Sequence, residues 1–214
     1  MRSSRSSLQS LKVTAQPAVE PVTVSQAKRH LRIDWPDDDD YIADLISTAR
    51  EWVESRTSRA LITQSFQGVF TLPKAPESQL RGLYAHLGQE LTFWLPRTPL
   101  QTVTLAEIEK DLDVWQSLNV PLDYVVDIDN DPQRVWLRAS AISYWAPTGA
   151  LINFLGVYAP RVRISYTAGY GLTYSAVPKS FRRAILNAVA HLYEFRDEEI
   201  PDAILDGLDA VRNV

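Results

Sequence analysis

The chain has 214 residues, 45% of them hydrophobic, and a mean hydropathy of −0.17, enough to build one domain with a real core, or one plus an appended module. No apolar run approaches the roughly 18 residues of a membrane span, no apolar signal core is present, and cysteine is absent, which removes disulfides, thiolate metal sites and cysteine nucleophiles. The net charge of −4 argues against nucleic-acid binding by the surface as a whole, but the charge is uneven. Residues 1–20 carry Arg2, Arg5 and Lys12 against Glu20, whereas 194–214 carry seven acids against Arg196 and Arg212. Such ends are either solvated or paired with a neighbouring subunit or partner.

Residues 1–20 are polar, small and without period, and are expected to form a mobile arm. Order is expected from Pro21. Thr23-Val24-Ser25-Gln26 spells a capping box, and Val24, Ala27 and Leu31 share one face of a short helix over 23–34 that stops before Pro36. After the acidic run Asp37–Asp40, the positions Tyr41, Ile42, Leu45, Ile46, Ala49, Trp52 and Val53 predict an amphipathic helix over 38–59. Its four aspartates suit a helix N-terminus, where the dipole favours negative charge.

From 62 to 167 the period changes to two. Phe66, Gly68, Phe70 and Leu72 alternate with polar residues, as do Leu91, Phe93 and Leu95. Residues 100–108 are a further candidate strand, and 123–128 with 134–138 read as a hairpin across Asp129-Asn130-Asp131-Pro132. In 161–166, Val162, Ile164 and Tyr166 oppose Arg161, Arg163 and Ser165, and Ala168-Gly169-Tyr170-Gly171 is a turn. Pro178 then opens a helix over 178–199. Its apolar stripe runs through Phe181, Ile185, Ala188, Leu192 and Phe195, and Lys179, Arg182, Arg183 and Asn187 mark the wet side. The fold class is α+β: a helical core from N- and C-terminal helices, with the two long helices packed together and an antiparallel β region inserted at 62–167. The domain is expected to end at 200, leaving 201–214 as a C-terminal arm.

Each motif with chemical content fails on a named residue. Asp127-x-Asp129-x-Asp131 resembles the start of a calcium loop, but Pro132 replaces the turn glycine and Arg138 stands where a bidentate acid is needed. Gly169-Tyr170-Gly171 lacks the third glycine of a dinucleotide loop, because Tyr174 holds its place. His30, His86 and His191 form no metal-binding pair on one helix face, and His191 among apolar neighbours reads as a packing histidine. No cofactor, metal or catalytic residue is therefore expected. Trp35, Trp94, Trp115, Trp136 and Trp145 are candidates for core or for partner contacts.

The ordered set of segments resembles the head–tail connector (adaptor) proteins of tailed bacteriophages, a family also found in gene transfer agents. Residues 21–34 (PVTVSQAKRHLRID) look like the family's opening, Tyr41–Glu54 like its second helix, and Thr57-x-Arg59-Ala60-Leu61-Ile62-Thr63-Gln64 like its closure. Leu95-Pro96-Arg97-x-Pro99-Leu100-Gln101-x-Val103, Val162–Gly171, Val177-Pro178 and Ala190–Arg196 are similar to later parts. The stretches Gln79–Gln89 and Thr148–Tyr158 are longer than the pattern. The resemblance implies a structural, non-enzymatic homo-oligomer, a ring of about twelve subunits in the virion neck, formed after assembly in the host cytoplasm. It implies stacking beneath a portal protein, a channel through which DNA passes without sequence-specific binding, and docking of a head-closure (stopper) or tail protein, with no membrane contact. It also implies that the C-terminal segment reaches the portal.

Residues 201–214 carry a weak apolar stripe too short to be a stable helix alone, and are expected to order only on assembly. The candidate interface residues are Ile204, Leu205, Leu208 and Val211, with Arg182 and Arg183 on the preceding helix. A monomeric ligand- or carbohydrate-binding β module using exposed tryptophans is the rival reading. A small hydrolase would need a convergent acid–histidine site that the sequence does not offer.

Overall fold

The structure, a computed structural model, describes residues 7–71, 91–111, 113–130, 133–138, 161–196 and 198–208. The chain divides into two compact units, each assembled from separated stretches. One is helical (Gln16–Gln64, Arg97–Pro99 and Ala168–Val214) and the other is built of strands (Met1–Ala15, Ser65–Pro96 and Leu100–Thr167).

In the helical unit, α1 (Val24–Leu31) starts at the capping box read from the sequence. The Gln26 N–H donates to Thr23 Oγ1 at 3.2 Å, and the Thr23 N–H donates back to Gln26 Oε1 at 3.1 Å. Arg32 closes α1 in the left-handed conformation (φ 60°). Helix α2 (Asp39–Thr57) buries Ile42, Leu45, Ile46, Ala49 and Val53, and α3 (Lys179–Glu194) buries Phe181, Ala184, Ile185, Ala188 and Val189. These faces meet in one core that also takes in Val22, Leu61 and Ile62, as the helical spacing predicts.

Helix α3 is shorter than expected. It stops at Glu194, and Phe195 leaves helical geometry (φ −120°, ψ 73°) with 47% of its surface exposed. The acid-rich run from Glu194 to Glu199 would load a helix C-terminus with the charge its dipole disfavours.

The Gly169 turn is fixed by close backbone approach. Gly169 adopts φ +138°, and a Cβ there would sit 2.5 Å from the Ile62 carbonyl carbon. The approach lets Gly169 N–H donate to Pro99 O, Tyr170 N–H to Leu61 O and Thr63 N–H to Gly171 O.

The strand unit holds two sheets. The first orders β1 (Ser7–Ala15), β2 (Gln64–Thr71), β8 (Arg161–Ala168), β4 (Leu100–Asp111) and β5 (Val114–Ser117) as β1-β2-β8-β4-β5. The second orders β3 (Leu91–Trp94), β7 (Arg134–Leu137) and β6 (Tyr124–Asp127) as β3-β7-β6. Burial alternates strictly along β2 and β8. Phe66 stacks on Tyr166 within the first sheet, and Phe70 meets Phe93 edge-to-face at 5.3 Å between the two. Strands β6 and β7 form the hairpin expected at 123–138, paired Tyr124↔Leu137 through Asp127↔Arg134. The α+β class stands.

Two expectations are corrected. Residues 7–15 are not a loose arm, because β1 pairs antiparallel with β2 from Ser7↔Thr71 to Ala15↔Ser65. Eight of its nine residues are exposed and Leu11 is half-buried, so no alternation announced it. Residues 202–208 form a 3-10 helix rather than a detached tail, with Leu205 and Leu208 buried in the helical core. The stretches Gln79–Gln89 and Thr148–Tyr158 lie outside the described residues.

Ile185→Asp or Leu45→Asp should place an unpaired carboxylate in the α2–α3 core. Both should yield insoluble or unfolded protein by circular dichroism. Leu205→Ala should lower unfolding free energy by about 2–5 kcal/mol in urea titrations. An unchanged midpoint would restore the mobile-arm reading.

Candidate functional site

The residues that sequence points to are distributed over the helical unit, and charge sorts them. Arg182 ends the first turn of α3 and Arg183 opens the second, half-buried and exposed respectively. With Lys179 they line a cleft of about 440 Å³ whose other wall is the last turn of α1, contributing Arg29 and His30, with Leu186 as an apolar flank. Among the described residues none of Arg29, Lys179, Arg182 and Arg183 forms an ion pair. Arg182 Nε is shielded from solvent without a hydrogen-bond partner there. Sequence reasoning missed Arg29 and His30. Their only signal was a basic last turn on α1, Lys28-Arg29-His30.

The far end of α3 is acidic. Glu194 and Glu198 are exposed, and the antiparallel run of α2 brings the exposed Asp37 and Asp40 to the same end. Tyr193 Oη fixes this arrangement by donating to Asp38 Oδ2 at 2.7 Å, while Trp35 Nε1 donates to the same oxygen at 3.1 Å. These two donors, Tyr193 first, hold the Asp38 carboxyl below the usual carboxylate range. The same bond pushes the Tyr193 hydroxyl above the ordinary phenol value. Lys28 Nζ neutralises Asp39 at 2.6 Å, and Arg196 lies over the Tyr41 ring at 5.2 Å.

Of the expected tail contacts, Leu205 and Leu208 are core side chains and unavailable to a partner. Ile204 is half-buried, and Val211 lies outside the described residues. His191 is half-buried, its Nε2 3.1 Å from Glu199 O and its ring 5.1 Å from Phe195.

In the strand unit, Asp127 organises a turn. Its carboxylate accepts from Asn130 Nδ2 at 2.7 Å, from Arg134 Nε at 3.1 Å and from the Asp129 and Asn130 N–H groups. Among the described residues no group of three or more His, Asp or Glu converges as a metal site, and no helix is long and apolar enough to cross a membrane. The Arg134 guanidinium lies over both the exposed Trp94 and Trp136, at 5.5 and 5.0 Å. Arg163 and Arg161 similarly face Trp115 at 4.2 and 5.5 Å while bonding Glu107 and Glu109 of β4. A guanidinium thus faces each of these rings. Trp145 and His86 lie outside the described residues.

Residues 21–91 match the family model described as phage gp6-like head-tail connector protein. The resemblance to head–tail connectors is borne out. A search of curated protein sequences finds no match. Among solved structures, a chain from the neck of an empty gene transfer agent particle, computed with C6 symmetry, shares the fold at TM-score 0.66 and 22% identity, over 96% of each chain. A chain from the virion of a native gene transfer agent particle aligns at TM-score 0.65 and 22% identity, over 95% of each. A chain from the native neck computed with C12 symmetry aligns at TM-score 0.61 and 21% identity, over 95% of this chain and 96% of that one.

Tyr193→Phe should destabilise the chain in a pH-dependent way. Asp38 has a lowered folded pKa, so its contribution is present above the unfolded value of about 4 and is lost as pH falls through the folded one. Tyr193 has a raised folded pKa, so its contribution is lost as pH rises through that value. The gap between wild type and variant in urea titrations should be widest between about pH 5 and 9 and close towards acid. A gap unchanged at low pH would mean that this hydrogen bond is not its source.

Proposed function

We propose that this chain is a structural head–tail connector subunit that acts by assembly rather than by catalysis. The observation that carries this reading is whole-chain similarity of fold to chains from gene transfer agent necks, 96% of each chain in the first case, together with the connector-family match over residues 21–91. Copies form a ring of about twelve in the neck between head and tail, stacked beneath a portal protein. The C12 and C6 symmetries of the related particles support a closed ring. The ring extends the channel through which DNA passes, and its far face receives a head-closure or tail protein. Assembly proceeds in the host cytoplasm, each interface creating the next binding surface. The half-buried Ile204 remains the tail residue proposed to face the portal. Leu205 and Leu208 support it from within the core.

Electron microscopy of the purified chain, alone and mixed with its portal protein, tests the reading. Rings seated on the portal are expected. A chain that stays monomeric beside the portal and binds an oligosaccharide instead would replace the connector by the ligand-binding module.

A further inference from the structure

We infer that the basic cleft between α1 and the first half of α3 receives the acidic end of α3 from a second copy of this chain, so that copies join head to tail. The inference rests on the ring reading and specifies which surfaces close the ring.

The cleft gathers Arg29, His30, Lys179, Arg182 and Arg183 around one concavity of about 440 Å³, without an acid among its lining residues. Within the described residues its four permanent cations have no ionic partner. Like charges crowded into a concavity repel one another, and two of these, Lys179 and Arg182, stand in the first turn of α3, where the helix dipole also disfavours them. The other end of the same helix repeats the mismatch with opposite sign. Glu194 closes α3 and Glu198 follows it, both exposed, where the dipole favours cations, and the exposed Asp37 and Asp40 stand nearby with Arg196 as the cation beside them. Both ends of α3 therefore carry charge that local helix physics opposes, and the two charges are complementary.

Lys28 of α1 already pairs with Asp39 within one molecule, but the charges at the two ends of α3 cannot meet there. Fifteen residues separate Lys179 from Glu194, about 22 Å along a helix. A contact between two different patches on identical chains is heterologous, and it closes into a ring when the rotation per subunit is right. The complement is thus present on the chain itself, in a molecule of net charge −4, which favours a second copy over nucleic-acid phosphate as occupant.

The absence of cysteine makes the test direct. Lys179→Cys and Glu194→Cys, both exposed, are combined in one chain and treated with a short bis-maleimide, alone and with portal protein present. Head-to-tail contact predicts a ladder extending through trimers and beyond, whereas each single variant, with no thiol across the contact, stays monomeric. In sedimentation, Arg183→Glu should weaken self-association about tenfold, and mixing it with Glu194→Lys should restore it. Dimers only, or no product with or without portal, would overturn the inference. Double-stranded DNA retarded by wild type but not by Arg29→Glu/Arg183→Glu would assign the cleft to phosphate instead. Rings seen by microscopy without a ladder would sink this contact and leave the connector reading standing; the absence of rings on portal would sink that reading itself.

Discussion

A carboxylate buried in the helical unit holds its irregular half together. Glu54, 6% exposed, accepts from Leu61 N–H at 2.8 Å and Gln64 Nε2 at 2.7 Å through one oxygen, and from Arg50 Nη1 at 3.1 Å through the other. Its own carbonyl accepts from Arg97 Nη1. The last turn of α2, the segment that follows it and the return through 97–99 are thereby tied to one residue. Burial pushes the Glu54 carboxyl up, while the Leu61 N–H and Arg50 pull it back. For Arg50 burial works downward, and Glu20 and Glu54 more than offset it. Breaking such a buried pair from one side costs about 3–5 kcal/mol, so the set forms together or not at all. Gly169 docks against the segment this network fixes, since Tyr170 N–H reaches Leu61 O.

The legibility of the fold tracked burial on one face only. Helix α1 was readable because a capping box and a 3.6-residue stripe record the same geometry twice, locally and in packing, and α2 because of its long stripe alone. Strands β2 and β8 were readable because their alternation is the record of one buried face. Strand β1 left no such record, being wet on both faces, and its order comes from backbone pairing that side chains do not encode. Residues 202–208 misled for the opposite reason. Seven residues are too few to hold helical structure alone, but Leu205 and Leu208 find a core prepared by α3, and tertiary burial decides. The basic cleft was invisible because its walls come from residues about 150 positions apart, joined only by folding.

Much of the polar chemistry among the described residues serves the subunit's own structure. The strand unit uses arginine as mortar: Arg134 between two tryptophans, and Arg161 and Arg163 between Trp115 and the acids of β4. A planar, always-charged group can stack on a ring and bond a carboxylate together, which lysine cannot. The same residue type lies unsatisfied in the α1–α3 cleft. The contrast separates side chains that complete the subunit from side chains proposed to meet a second copy.

Both units are discontinuous in the chain, and this has a consequence for how the protein is made. The helical core needs residues from Gln16 to Leu208, because α3 and Leu205 supply the surface against which Ile42, Leu45 and Ile46 are buried. The five-stranded sheet needs β8 between β2 and β4, more than fifty residues after β4 begins. A chain still on the ribosome therefore presents an open apolar face on α1 and α2 and a sheet without its middle strand. Prematurely terminated chains would keep those surfaces, which quality-control proteases and chaperones recognise. Because α3 also carries the charges proposed to join copies, completing the fold and acquiring them happen in the same late step. In the proposed ring, where one defective copy would break the circle, this would admit only full-length subunits.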